Sequence, residues 1–172
     1  REYPLEAVQT MAAIAEQAEK DRSALGDYEV PMNENCSQRE FLAHAAIEAT
    51  KTLGVAGIIT DSLTGETVRH LAAFRGPNPI LAICYKEKTQ RWLNLSFGVI
   101  PVHQKEHAPA AYMFTAALRM LRQKGYIGSD DKIAYLSGSF GLGNPTGTTF
   151  LEINKVSQVF DKSYEFHLPN KE

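Results

Sequence analysis

The chain has 172 residues, of which 44% are apolar and 22% charged, and its formal net charge is −2. This length fits one hydrophobic core, and the composition is that of an average globular protein. The small net charge gives no electrostatic footprint for nucleic acid or an anionic membrane, and no apolar run could span a bilayer. Without a signal-peptide pattern, we expect a cytoplasmic protein with reduced cysteines. Since Arg1 stands directly at a helix start, we expect a piece of a longer protein.

The first elements are predicted to be helical. Pro4 suits a first helical position, and an apolar stripe with helical spacing continues to about Ala24. Residues 25–36 carry Gly, Pro and Asn without any period, so they are predicted to form a loop. Ser37-Gln38-Arg39-Glu40 is a capping box that opens a second helix, which Gly54 closes.

The rest of the chain alternates strands with helices. Apolar runs predict strands at residues 55–60, 79–85, 98–102 and 132–136, with helices at 68–74, 88–95 and 109–124. This order implies right-handed crossovers and a parallel sheet covered on both faces. A fifth strand, residues 149–156, follows a glycine-rich loop that is too short for a helical crossover. We therefore predict an α/β fold: a three-layer αβα sandwich with a mixed five-stranded sheet, the first four strands parallel and the fifth antiparallel at an edge. The sequence does not predict the structure of residues 157–172.

The connection between the first strand and the next helix could hold an anion, because free backbone N–H groups gather at a helix start. Its candidate binding residues are Ser62, Thr64, Gly65 and Thr67. The carboxylates of Asp61 and Glu66 oppose a phosphate, so Arg69 or Arg75 would have to help. An ordinary strand–helix connection, capped by hydroxyl groups, stays an open alternative and is the one that the two carboxylates favour.

Other motifs point to no chemistry of their own. Gly141-Leu142-Gly143 is not a dinucleotide fingerprint, because no helix follows it, and an ordinary hairpin loop at 138–147 stays open. His103 and His107 have a spacing that could bind zinc on a helix, but they lie in a strand-to-helix connection where helical geometry is not assured. We therefore predict neither a metal site nor catalytic residues.

Five blocks of the sequence, in order, resemble the C-terminal domain of pyruvate kinase. They are Tyr3 to Val8 with Met11, Ile14, Ala15 and Glu19; Ser62 to Thr67 with Ala73, Phe74, Arg75 and Pro77; Arg91 to Leu95 with Gly98, Val99 and Pro101; Gly125 to Ile127 with Asp131; and Gly147 to Thr149. The resemblance covers residues 2 to about 156. It implies that residues 1–24 correspond to the last helix of the catalytic barrel domain and residues 25–156 to the C-terminal α/β domain. The tail, 157–172, lies outside it.

The resemblance carries functional expectations. In the family this domain serves effector response and subunit assembly in a glycolytic enzyme, whose barrel transfers phosphoryl from phosphoenolpyruvate to ADP with Mg²⁺ and K⁺. We expect this piece to be inactive alone, to need no cofactor, and to form a homo-oligomer. The implied pocket for a phosphorylated effector combines Ser62, Thr64, Gly65 and Thr67 with Gly143 and Gly147. The implied interface residues are Phe150, Leu151, Ile153, Met113 and Ala117.

Two alternatives remain open at the level of sequence. The first is a free-standing domain that binds a small anion and has the same fold without the barrel; the length of the native reading frame would separate it from a pyruvate kinase. The second is an independent enzyme that uses the glycine-rich loop and the histidines, which a screen with phosphorylated substrates would detect.

Overall fold

The computed structural model describes residues 3–24, 30–104, 110–138 and 148–163. The chain divides into two compact units, residues 1–30 and residues 31–172. In the described part of the first unit, helix α1 (Pro4–Ala24) begins at the proline that the sequence predicts. Its large apolar side chains are exposed: Leu5, Val8, Met11 and Ile14. No helix within the described ranges is long and apolar enough to cross a membrane.

The second unit is an α/β fold. Its helices are α2 (Gln38–Thr52), α3 (Glu66–Ala73), α4 (Glu87–Leu93), α5 (Ala110–Gln123) and α6 (Val156–Ser163). Its strands are β1 (Gly57–Ser62), β2 (Ile80–Cys84), β3 (Val99–His103), β4 (Lys132–Gly138) and β5 (Thr148–Lys155). They form one sheet in the order β3-β2-β1-β4-β5, parallel except for β5, which is antiparallel to β4. The predicted fold class, mixed sheet and antiparallel edge strand are confirmed.

The predicted helix boundaries rest on caps that the structure contains. The Ser37 hydroxyl accepts a hydrogen bond from the Glu40 backbone N–H at 3.2 Å and so begins α2. Gly54 follows the helix with a φ of +64°, a conformation that side chains other than glycine rarely adopt. The first strand differs from its prediction, because β1 continues to Ser62: Asp61 and Ser62 still pair with Ile83 and Cys84 of β2.

The sheet is covered on both faces, as predicted. One face packs against α2 and α3, which contribute the buried residues Ala43, Ala46, Ile47, Val68 and Leu71. The other face forms what we name the α5-side cluster: Ile59, Leu81, Ile83, Val102, Leu118, Leu121, Ile127, Ile133, Tyr135 and Val156. Because successive residues of a strand point to opposite faces, the central strand β1 contributes Ile58 to one side and Ile59 to the other.

The tail that the sequence could not place begins with helix α6. The backbone N–H groups of Val156 and Ser157 bond to the carbonyl oxygens of Asp131 and Ser129, each at 3.0 Å. Val156 is fully buried, and Val159 and Phe160 pack against the α5-side cluster. The tail as far as Ser163 is therefore folded onto the domain.

Candidate functional site

The candidate site lies at the carboxyl ends of the two central strands. From β1 the chain runs to β2 on one side, whereas β4 returns to the other side of β1. In open α/β sheets such a reversal of strand order opens a crevice where ligands bind. The end of β1 brings Asp61 and Ser62 to this point, and the end of β4 brings Ser137.

The turn from Ser62 to Gly65 is closed by its own side chain. The buried Ser62 hydroxyl accepts a hydrogen bond from the Gly65 backbone N–H at 2.7 Å. Gly65 has a φ of +82° and begins α3, and a Cβ atom there would lie 3.2 Å from Cδ2 of Leu93. The backbone angle favours glycine at this position, and Leu93 would have to shift by a few tenths of an ångström to admit a Cβ atom. Ser62 and Gly65 therefore shape the start of α3.

The charges around the turn are mixed. Glu66, the first residue of α3, forms an ion pair with Arg39 of α2. The Arg69 guanidinium lies near the turn, with Nη1 3.6 Å from the place that a Gly65 Cβ would occupy. Arg75 instead stacks on the Phe97 ring, at 4.7 Å from the centroid. Of the two arginines that the sequence suggested as phosphate partners, Arg69 is thus the one beside the turn.

A hydrogen-bonded cluster joins the ends of β1 and β4. The Ser137 hydroxyl donates to the Asp61 carboxylate at 2.5 Å, and the Tyr135 side chain lies close to both. Burial raises the pKa of Tyr135, and the negative charge of Asp61 raises that pKa further. The phenol therefore stays neutral at physiological pH, and Asp61 adds negative charge at the crevice.

This arrangement has two chemically different halves. The start of α3, with its backbone N–H groups and Arg69, suits an anionic group. The Asp61 carboxylate suits a hydroxyl or a cationic group, because an ionised carboxylate only accepts hydrogen bonds. A phosphate close to Asp61 would be repelled.

Of the remaining residues that the sequence suggested for binding, only some lie in the described part of the chain. Thr64 is exposed and Thr67 is half-buried on the first turn of α3. Gly143 and Gly147 lie outside the described residues, as does His107, whereas His103 is the last residue of β3.

The predicted interface residues lie on two elements. Phe150 meets Tyr135 edge to face, with 5.8 Å between ring centroids, while Leu151 and Ile153 are half-buried on β5. Met113 and Ala117 belong to α5, but their side chains are outside the described part of the chain. Whether these residues form an interface stays a prediction.

Sequence reasoning missed two residues that shape the candidate site, Arg39 and Ser137. The sequence identifies Arg39 only as part of a capping box. No local pattern relates Arg39 to Glu66, its ion-pair partner, because the two residues are 27 positions apart. Ser137 could have been found from topology, because the predicted order of strands and helices brings the end of the fourth strand beside the end of the first.

Similarity to known proteins extends over most of the chain. Residues 40–153 match the family "Pyruvate kinase, alpha/beta domain". The pyruvate kinase of Borreliella burgdorferi is 32% identical over 159 residues, covering 91% of this chain and 33% of the relative. That of Bacillus licheniformis is 30% identical over 166 residues, covering 93% of this chain and 27% of the relative. The chain thus spans a third or less of the length of these relatives.

A solved structure gives the same fold. The pyruvate kinase of Cryptosporidium parvum in complex with ADP superposes with a TM-score of 0.65 over 74% of this chain and 25% of that one, at 22% sequence identity. Together with the match of the α/β domain over residues 40–153, these similarities confirm what the five sequence blocks indicated. The chain belongs to the pyruvate kinase family through its C-terminal α/β domain.

Proposed function

We propose that this chain is the regulatory and assembly part of a pyruvate kinase, a cytoplasmic glycolytic enzyme that transfers phosphoryl from phosphoenolpyruvate to ADP. The observation that carries the proposal is the family match across residues 40–153, combined with the reversal of strand order at β1, where open α/β sheets bind ligands. Catalysis in the whole enzyme would use a barrel with Mg²⁺ and K⁺. Alone, the 172-residue chain is expected to be inactive.

Activity is tested with a coupled assay of pyruvate formation from phosphoenolpyruvate and ADP, with Mg²⁺ and K⁺ present. We expect no turnover above a buffer control at any concentration of the chain. Turnover that scales with protein concentration and survives further purification would contradict the proposal, and would require catalytic residues within this chain.

The effector role is assigned to the turn from Ser62 to Thr67. A sugar phosphate would place its phosphate at the start of α3, near Arg69, and a sugar hydroxyl against Asp61. Because Asp61 and Glu66 bring negative charge to this place, we expect fructose bisphosphate to bind weakly or not at all. Arg39 offsets part of that charge through its ion pair with Glu66.

Two substitutions test this electrostatic argument in opposite directions. Glu66→Arg removes a carboxylate and adds a bidentate phosphate partner, so calorimetric titration with fructose bisphosphate should show tighter binding. Arg39→Gln leaves Glu66 without its cation and should weaken any binding. Lys124→Gln, at an exposed position just after α5, removes the same charge from the segment that leads to the amino end of β4 and serves as the control. Tight binding by the unmodified chain, or equal titrations for all variants, would contradict the argument.

The assembly role is assigned to the edge of the sheet. Among the described residues, β5 has a strand partner on one side only, and edge strands readily pair with another chain. We infer a homo-oligomer in which two copies meet through β5 and a helix, in an isologous contact. A free-standing anion-binding domain is the alternative function, but no observation on this chain favours it over a pyruvate kinase.

A further inference from the structure

A concave feature lies between α5 and α6, away from the end of β1. It is an open cavity of about 480 Å³ lined by Arg119, Arg122, Gln123 and Phe160. The last turn of α5 leads through Tyr126 to Asp131 into the start of β4, so the cavity lies towards the amino ends of the parallel strands. Helix α6 begins at Val156, beyond the residues 40–153 that match the family domain. One wall of the cavity is therefore specific to the segment that follows that domain.

The cavity is built on a fixed aromatic ring. The backbone bonds that begin α6 and the burial of Val156 fix the start of the helix, and Phe160 packs against the α5-side cluster. Arg119 and Arg122 lie three residues apart on α5, which puts them on the same side of that helix. Their guanidinium carbons each lie 6.0 Å from the centroid of the Phe160 ring. Two cations thus flank one apolar wall.

Within the described ranges, no carboxylate is seen to offset the charge of this pair. Among the acidic side chains that the structure describes, none forms an ion pair with Arg119 or Arg122. The dipole of α5 accounts for a cation in its last turn, and contact with the Phe160 ring helps α6 to dock. Neither effect removes the repulsion between two guanidinium groups on adjacent turns. An anion that lies between them does.

We propose that this cavity binds a small organic anion, with its phosphate or carboxylate group held by Arg119 and Arg122 and its apolar part against Phe160. Guanidinium groups bind either head group through paired hydrogen bonds, and the Gln123 amide can add a further polar contact. The volume of the cavity falls within the range of small-molecule sites. This site is independent of the effector turn and does not rest on the proposed function.

The test uses the full chain and three probes: inorganic phosphate, phenyl phosphate and benzoate. Each is titrated while the backbone amide resonances are followed by NMR, with calorimetry for affinity. We expect saturable shifts on α5 and α6 for at least one of the two aromatic anions, with weaker binding of inorganic phosphate. Whichever aromatic anion binds more tightly identifies the preferred head group.

Substitutions assign the roles of the residues. Arg119→Ala or Arg122→Ala should weaken binding about tenfold each, since each removes charge-assisted hydrogen bonds. Arg122→Lys, which keeps the charge but loses the planar fork, should lie between Arg122→Ala and the unmodified chain. Phe160→Leu should reduce the preference for phenyl phosphate over inorganic phosphate. Arg91→Ala on α4 is the matched control and should bind as the unmodified chain does.

Several results would overturn the proposal. One is the absence of shifts on α5 and α6 with all three probes. Another is an equal loss of affinity in Arg91→Ala, which would mean that only the net charge matters. A third is unchanged affinity when Arg119 and Arg122 are both replaced by alanine. Thermal unfolding without ligand shows whether each variant is folded, and Arg122→Lys provides the test if an alanine variant is not.

Discussion

The central strand β1 and the edge strand β5 belong to the same sheet but have different environments. β1 lies between β2 and β4, and Ile58 and Ile59 are completely buried on opposite faces. β5 has one strand neighbour in the part of the chain that the structure describes, and the residues of β5 whose burial is described, 150–155, are half-buried or exposed. A parallel strand that is covered on both faces needs a continuous apolar run, whereas an edge strand tolerates polar residues.

The same difference separates the functions that the two strands support. The rigid end of β1 holds Asp61 and Ser62 in fixed positions, which is what a binding site requires. The free side of β5 offers backbone groups to another chain. The proposed binding site and the proposed assembly surface therefore lie on the most enclosed strand and on an edge strand of the same sheet.

The largest effect should come from shortening a side chain at the sheet centre. Ile59→Ala removes a fully buried residue of the α5-side cluster and should lower the free energy of unfolding by about 2–5 kcal/mol. Leu151→Ala, on the half-buried edge strand, should cost about 1–2 kcal/mol because less apolar surface is lost. Urea unfolding of both variants measures the difference. Equal losses would mean that the edge is as enclosed as the centre.

The sequence predicted what depends on local pattern. The apolar run that contains Ile58 and Ile59 gave a buried strand, Ser37 and Gly54 gave the ends of α2, and the short connection before β5 gave its antiparallel direction. It did not predict α6: Val156, Val159 and Phe160 have the spacing of one helix face, but three residues are too few to decide an element, and only the structure shows that they pack against the α5-side cluster.

In the candidate site, too, the features set by local sequence were predictable and those set by tertiary contacts were not. The turn at Ser62 and Gly65 was found from its residue types, since a hydroxyl and a glycine before an apolar helix have a local meaning. The ion pair of Glu66 with Arg39 joins two helices and was not predictable from spacing. Because that pair decides how much negative charge an anion meets, the electrostatics of the turn needed the structure.

The free energy of unfolding should depend on pH through Cys84, which lies on a buried strand beside β1. Cys84 ends β2, and burial raises the pKa of its thiol from 9.0 to about 11. As pH rises from 9.0 towards 11, the unfolded chain releases this proton while the folded chain retains it, so stability falls. Each pKa unit corresponds to about 1.4 kcal/mol.

Comparison of two cysteine variants isolates this contribution. Cys84→Ala should lose less stability than the unmodified chain across that pH range, measured by urea unfolding at each pH. Cys36→Ala is the control, because Cys36 is only half-buried. Since Tyr135 is present in all three proteins, its own titration cancels in the comparison. If the free energy of unfolding depended on pH in the same way in all three proteins, the pH dependence could not be attributed to Cys84.

A smaller loss of stability is expected from a substitution in the turn that follows β1. Ser62→Ala removes the acceptor of the Gly65 N–H bond in a buried turn and should cost about 1 kcal/mol of unfolding free energy. Thr64→Ala, at an exposed position of the same turn, should change stability by less than about 0.5 kcal/mol. If Thr64→Ala proved the more costly of the two, the turn would not be held by Ser62.

A substitution on the edge strand β5 should have the smallest effect on stability but a large effect on dimer formation. We expect the full chain to sediment as a dimer through β5. Glu152→Lys changes an exposed residue of β5, so it should alter the free energy of unfolding by less than about 0.5 kcal/mol. In an isologous contact it places an added cation on both apposed strands and should weaken the dimer. Glu34→Lys makes the same charge change in an exposed loop and should leave the dimer intact.

The competing explanation is that the tail protects this edge and keeps the chain monomeric. As far as Phe160 the tail packs against the α5-side cluster on a face of the sheet, through Val159 and Phe160. Chains that end at Val156 and at Ser163 should therefore sediment as the full chain does. A full-length monomer that dimerises only after residues 157–172 are removed would instead assign the tail a protective role. Because the chain that ends at Ser163 keeps Phe160, it separates loss of edge protection from loss of core packing.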